Sequence, residues 1–241
     1  MTTLVPGAAA SLRPAATAAL HDAARPAAST APPLVTVWCG GGVEVVPTSF
    51  VGELIQRLRV EGLPVEVRAD HLPMLPRPRR IRRHVGRLET VTGAYPTGDL
   101  IIVVSGTLEP DRGLLADLAE PGAPILLVTP LSAAGRAGVR VGPLVTANAA
   151  CVRCVDLQRT RVDPDWPMNL MNLTRSTGKV TDPVVADWAV STVVCQVHAW
   201  WQSGSADTVG HSLELYAHEF RLRSEVWRRQ AGCGCGEAVT A

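Results

Sequence analysis

Apolar and polar positions alternate in two distinct periods along this chain from Leu34 onward. "LVTVW" at 34–38 is short and β-prone, the pattern of a buried strand, and the glycines of "CGGG" turn the chain after it. In "SFVGELIQRLRVEG" the apolar residues Phe50, Val51, Leu54, Ile55 and Leu58 recur at helical spacing, and Gly62 ends the helix. "PVEVRAD" alternates as a second strand. Residues 34–70 therefore read as strand, turn, helix, strand, a βαβ unit.

The rhythm resumes after residue 98. "DLIIVVSG" is a continuous apolar strand, as in a sheet covered on both faces. "PDRGLLADLAEPG" is a short helix with Pro110 near its start and Gly122 after its end. "APILLVTPL" and "VRVGPLVT" are further strands. This alternation predicts an α/β fold with a Rossmann-like, right-handed, mostly parallel open sheet flanked by helices.

Residues 155–181 read as irregular, with a turn at "DPDWP". "DPVVADWAVSTVVCQVHAWWQSG" is a long helix, with Pro183 in its first turn and Gly204 at its end. Val184, Val185, Trp188, Val193, Val194, Val197 and Trp201 spread around much of its circumference. A heavily buried helix is expected, partly at a subunit contact. In "HSLELYAHEFRLRSEVW" Leu213, Leu215 and Ala217 alternate with Glu214, Tyr216 and His218, which predicts a hairpin-like, half-buried strand pair. Residues 1–32, rich in Ala, Pro, Thr and Ser, read as a disordered or mobile arm, and 33–241 as a single α/β domain.

Composition narrows the class. An apolar fraction of 46% and a formal net charge of +1 fit neither a disordered chain nor a polyanion-binding protein. No secretory signal pattern opens the chain, and no apolar run approaches the roughly twenty residues of a membrane span. A cytoplasmic protein without a membrane or nucleic-acid partner is expected. The one dense basic stretch holds Arg77, Arg79, Arg80, Arg82, Arg83 and Arg87. It reads as a solvated surface or a docking face; no aromatic residue alternates with the arginines to stack bases.

Cysteine placement carries the chemistry. Four of the six cysteines form two tight pairs, Cys151/Cys154 in "ACVRC" and Cys233/Cys235 in "GCGCG". In a reducing compartment such pairs point to metal ligands or redox groups rather than disulfides. Zinc takes four tetrahedral ligands, often thiolates, and the glycines around Cys233 and Cys235 let the second pair wrap closely. The expectation is a structural zinc ion that clasps the C-terminal extension to the loop after the sheet. A redox C-x-x-C, an iron–sulfur cluster and unrelated buried thiols are the alternatives. Cys39 and Cys195 read as small core residues.

Catalytic signals are sparse. After the first strand, where an α/β protein cradles phosphate, "CGGGVEVV" holds three glycines but not the G-x-G-x-x-G form, and residues 43–47 delay the helix. His211, His218 and Glu219 read as ordinary surface polarity.

The stretch from "DLIIVVSGTLEPDRGLLADLAEPGAPILLVTP" through "VGPLVTANAACVRCVDLQRTRVDPDWP", then the long helix and "CGCG", resembles ThiF/MoeB-like (ubiquitin-activating-type) adenylating proteins. It is most similar to the actinobacterial bacteriocin-biosynthesis cyclodehydratase, or leader-peptide-binding, branch of thiazole/oxazole-modified microcin systems. The resemblance covers roughly residues 34–236, and 141–167 is its specific part. It implies structural zinc at Cys151, Cys154, Cys233 and Cys235. Active members adenylate a C-terminal carboxylate with a glycine-rich loop, an acidic residue ending the second strand and an aspartate just after the strand at 100–104. Here the loop is irregular, Asp70 matches the acidic residue, Arg112 matches a later arginine, and "SGT" stands where the aspartate is sought. The resemblance therefore implies a scaffold subunit, not an enzyme, with ATP not expected. Its implied partners are a YcaO-type cyclodehydratase, a precursor peptide and a second copy of the chain in a homodimer. The small N-terminal winged-helix recognition domain of such scaffolds is not expected here. A working adenylating enzyme and a zinc-stabilised regulatory or assembly protein are the alternative readings.

Overall fold

The strand Val35–Gly40 (β1) lies between two parallel neighbours, Val65–Ala69 (β2) and Leu100–Ser105 (β3), and all six β3 residues are buried. The computed structural model describes residues 31–40, 48–69, 99–119, 122–133, 136–178, 180, 182–219 and 221–235. Most of the N-terminal arm, the first turn at 41–47, Asp70 and the basic stretch 77–87 lie outside the described residues.

Beyond β3 come Ile125–Ala133 (β4), Arg136–Val145 (β5), His211–Tyr216 (β6) and Leu222–Val226 (β7). They join one seven-stranded sheet in the order β2-β1-β3-β4-β5-β6-β7. The expectation of a mostly parallel sheet needs correction. β2-β1, β1-β3 and β3-β4 are parallel, whereas β4-β5, β5-β6 and β6-β7 are antiparallel. The reason is chain length between strands. β4 ends at Ala133 and β5 begins at Arg136; a parallel crossover needs a dozen or more residues. The mixed sheet is an α/β arrangement with a Rossmann-like parallel half.

Helices cover both faces. Thr48–Val60 (α1) sends Phe50, Leu54, Ile55 and Leu58 into the larger core, the spacing that its sequence predicts. The helix Pro183–Ser203 (α5) packs on α1 and β5 on the same face. Asp182 caps it, accepting hydrogen bonds from the Val184 and Val185 amides, and Gly204 ends it in the left-handed conformation. These are the start and stop signals expected of it.

α5 is less enveloped than its sequence suggests. Val185, Ala189, Val190, Val193, Gln196 and Val197 form its buried stripe, while Val184 is 55% exposed. Trp188, Trp200 and Trp201 are half-buried against the same core. Cys195, expected in the core, is exposed, because it falls on the opposite side of the helix from that stripe; Cys39 is buried as expected. None of the described helices is long and apolar enough to cross a membrane.

On the other face Arg112–Ala119 (α2) packs Leu115 and Leu118 against Ile101, Val103, Ile125 and Leu127. Residues 155–181, expected to be irregular, contain most of the helix Val152–Val162 (α3) and all of Trp166–Leu173 (α4). The polar, arginine-rich composition of α3 and the shortness of α4 hide the helical period, since between them they fully bury only Cys154, Val155 and Trp166. The turn between them does fall in "DPDWP", at Asp163–Asp165.

Candidate functional site

α3 opens with a cysteine at its N-cap, Cys151, and a second one turn later, Cys154. That offset sets both sulfurs on one side of the first turn. Opposite them, Gly232 and Gly234 both have φ of +79°, which favours glycine and bends the chain around Cys233. The Cys151 and Cys233 sulfurs lie 3.4 Å apart, those of Cys154 and Cys235 3.4 Å, and those of Cys151 and Cys154 3.8 Å. All four fall within 4.8 Å of one another, and none is in a disulfide.

A tetrahedral ion with metal–sulfur bonds of about 2.3 Å needs sulfurs separated by about 3.8 Å, so this cluster is placed to hold one metal ion. Both pairs converge on one point, which leaves no second pair to explain. Ala150, Val155 and Trp227 pack around the sulfurs, and the Gln230 amide donates to the Cys154 sulfur at 3.3 Å. Burial pushes the Cys154 thiol pKa up. At exposed Cys235 desolvation pulls the same way, but hydrogen bonds from the neighbouring thiols win and hold it at about 7. The cluster thus favours a first thiolate, the form that ligates metal.

The sheet's C-terminal edge is a second place to look for chemistry. Strand order puts the topological switch point of the parallel half between β1 and β3, where open α/β sheets admit ligands. Here the Gly106 amide donates to the Gly40 carbonyl at 2.8 Å and carries the β1–β3 pairing past Ser105. The Ser105 hydroxyl bonds the Thr107 carbonyl at 2.9 Å, and the Thr107 hydroxyl donates to the Glu109 carbonyl at 2.7 Å. A strap after α4 lies on this corner, with Leu108 N to Ser176 O at 2.9 Å and Gly178 N to Gly106 O at 3.1 Å. A methyl at Gly178 would come within 2.6 Å of Pro130.

Glu109 leaves this corner for the opposite face. It is 6% exposed and accepts from Arg140 at 2.9 Å, Arg159 at 2.6 Å and Arg112 at 3.1 Å. Burial opposes its charge, but Arg140, Arg159 and Arg112 overcome that and lower its pKa to about 2. Arg112 also pairs Asp156 in a two-point contact, and Arg140 pairs Glu214 at 2.7 Å. The Arg159 guanidinium lies over Trp166 and Trp227.

Of these residues the sequence singled out only Arg112. Glu214 sits in the polar half of an alternating strand that reads as solvent-facing, yet it is largely buried against Arg140. No spacing rule links Glu109 to Arg140 and Arg159.

Above this network is a cleft of about 440 Å³, floored by β4–β7 and roofed by α3 and α4. His211, His218 and Glu219 build no site there: His211 bonds the Val209 carbonyl, and His218 pairs with Glu219 at the surface. Buried Cys39 has its thiol pKa pushed up to about 12 by desolvation, which keeps it protonated.

No protein-family model matches the chain, and no curated protein matches it either. Solved structures do. The heterocyclase TruD superposes with a TM-score of 0.53 at 19% identity, over 84% of this chain and 27% of that one. A heterocyclase in complex with substrate and cofactor gives 0.55 at 18%, over 84% and 25%. Escherichia coli MccB with AMPCPP and MccA gives 0.55 at 15%, over 86% and 67%. The E. coli microcin synthetase McbBCD complex gives 0.51 at 10%, over 82% and 67%. The chain therefore spans about a quarter of the heterocyclase chains it resembles. At these identities the likeness is one of fold.

Proposed function

We propose that this chain is a ThiF-like scaffold subunit of peptide-modifying machinery, which assists a YcaO-type cyclodehydratase without performing nucleotide chemistry itself. The observation that carries the reading is the corner Ser105–Glu109. Adenylating relatives need a free carboxylate just after this strand. Here Ser105 and Thr107 hydroxyls are spent on local carbonyls, and the carboxylate that follows, Glu109, is committed to three arginines. A carboxylate so paired has little capacity left to orient a metal–nucleotide complex.

The fold likeness to a heterocyclase and to the microcin synthetase complex supports the peptide-modifying setting. The four sulfurs match zinc's tetrahedral preference, and a full thiolate set leaves no position open for substrate. The ion is structural: it ties the C-terminal segment to the start of α3. A homodimer belongs to the same reading.

ATP–pyrophosphate exchange with candidate peptides, together with co-purification with a YcaO-type enzyme, tests it. The expected result is no exchange above background and stable co-purification. Robust exchange would instead support the adenylating reading, which the likeness to MccB bound to AMPCPP favours.

A further inference from the structure

The cleft between β4–β7 and α3–α4 plays no part in the scaffold reading, and its wall is graded. The register of the sheet fixes the order of side chains across its floor. Thr129 of β4 lies opposite Arg140 of β5, Arg140 opposite Glu214 of β6, and Ser212 of β6 opposite Glu225 of β7. The end next to β4 is apolar, lined by Leu108, Pro130, Leu131 and Leu173. The end next to β7 carries Glu214, Glu225 and the Tyr216 ring. Its volume, about 440 Å³, lies in the range of small-ligand sites, about 300–1,000 Å³.

Charge decides what fits. Arg112, Arg140 and Arg159 are matched by Glu109, Asp156 and Glu214. Two lining carboxylates lie outside that balance. Asp163 accepts hydrogen bonds from the Asp165 amide and the Asn169 side chain, but no cation among the described residues pairs with it. Glu225 joins the β6–β7 ladder through its backbone, but its carboxylate has neither an ion pair nor a hydrogen bond among the described residues. Although Glu225 is exposed as a residue, partial burial of its carboxyl raises its pKa; Arg159 and Arg140 counter this and Glu214 and Glu109 reinforce it. The mouth thus holds a carboxylate with no ion-pair partner among the described residues, near Glu214, with aromatic rings and an apolar end in the same cleft.

We propose that this cleft binds an organic cation on an apolar stem, an ammonium or guanidinium group whose charge pairs with Glu225 while its methylenes lie along Leu108, Pro130 and Leu131. A lysine or arginine side chain of a peptide and a free alkyl amine or guanidine share that chemistry. An anionic ligand fits less well, because Arg140 already serves Glu109 and Glu214, and Arg159 already serves Glu109.

Calorimetric titration of the full-length protein tests this with four probes: N-acetyl-arginine methylamide, agmatine, N-acetyl-leucine methylamide and N-acetyl-glutamate methylamide. Saturable binding of both cations is expected, with the leucine and glutamate probes at least about tenfold weaker, a difference of about 1.4 kcal/mol. Tighter binding of the arginine amide than of agmatine assigns the site to a peptide residue, and the reverse to a free small molecule. Glu225→Gln, an exposed position whose loss leaves no partner unpaired, is expected to weaken the cations about tenfold and leave melting unchanged. Equal binding of the leucine probe, no saturation by either cation, or an unaltered affinity in Glu225→Gln overturns the proposal. Exchange activity does not enter these readouts, so the result is independent of the scaffold reading.

Discussion

The Arg159 guanidinium donates to a Glu109 carboxylate oxygen 2.6 Å away, and this bond joins the helix that begins at the cysteine cluster to the corner that ends β3. Asp156, two residues after Cys154 on the same helix, makes a second link through Arg112. The metal-clasp region, the cleft roof and the C-terminal edge of the sheet are therefore connected through α3. A change at one end has a short physical route to the others.

Acid should expose the Glu109 linkage. Its folded pKa of about 2 lies below the ordinary 4.5, so its contribution is fully present above pH 4.5 and is lost as pH falls toward 2. The displacement corresponds to on the order of 3 kcal/mol. Chemical denaturation between pH 6 and pH 2.5 is expected to show that decline, and a shallower one in Glu109→Gln. At neutral pH the same variant takes the ion-pair partner from Arg159, while Arg112 keeps Asp156 and Arg140 keeps Glu214, and should cost roughly 3–5 kcal/mol.

Removal of the metal should loosen α3 first. Cys151→Ala, Cys235→Ala and treatment with a strong chelator are each expected to cost several kcal/mol, because structural metal binding contributes directly to folding. Hydrogen exchange is expected to rise in Val152–Val162 while β3 stays protected. Unchanged melting after complete demetallation would count against the clasp.

Gly178→Ala tests the strap over the sheet edge. The added carbon meets Pro130 at 2.6 Å and Leu108 at 2.8 Å. Proline's ring cannot swing aside, so overpacking of roughly 1–3 kcal/mol is expected, measured as a lower denaturation midpoint.

Asp182→Ala removes the side chain that accepts from two amides at the start of α5. The expected loss is about 1 kcal/mol, read from equilibrium unfolding, and Asp182→Ser should recover most of it.

By itself the sequence determined the elements that announce themselves locally. The β1–α1–β2 unit, β3, α2 and α5 follow from apolar period and end signals such as Asp182, Pro183 and Gly204, since burying an apolar face requires that period. The cysteine pairs were equally legible, because a short loop dictates where its sulfurs lie. Tertiary structure alone decided the direction of β5, where the gap between strand ends forbids a crossover. It also decided that α3 and α4 are helices and that Cys195 faces outward. Above all it decided the Glu109 network, whose members stand up to 105 positions apart between Glu109 and Glu214. Charges pair across space with no sequence period, and which carboxylates are matched and which, like Glu225, are left over is settled only when the sheet and α3 close on one another.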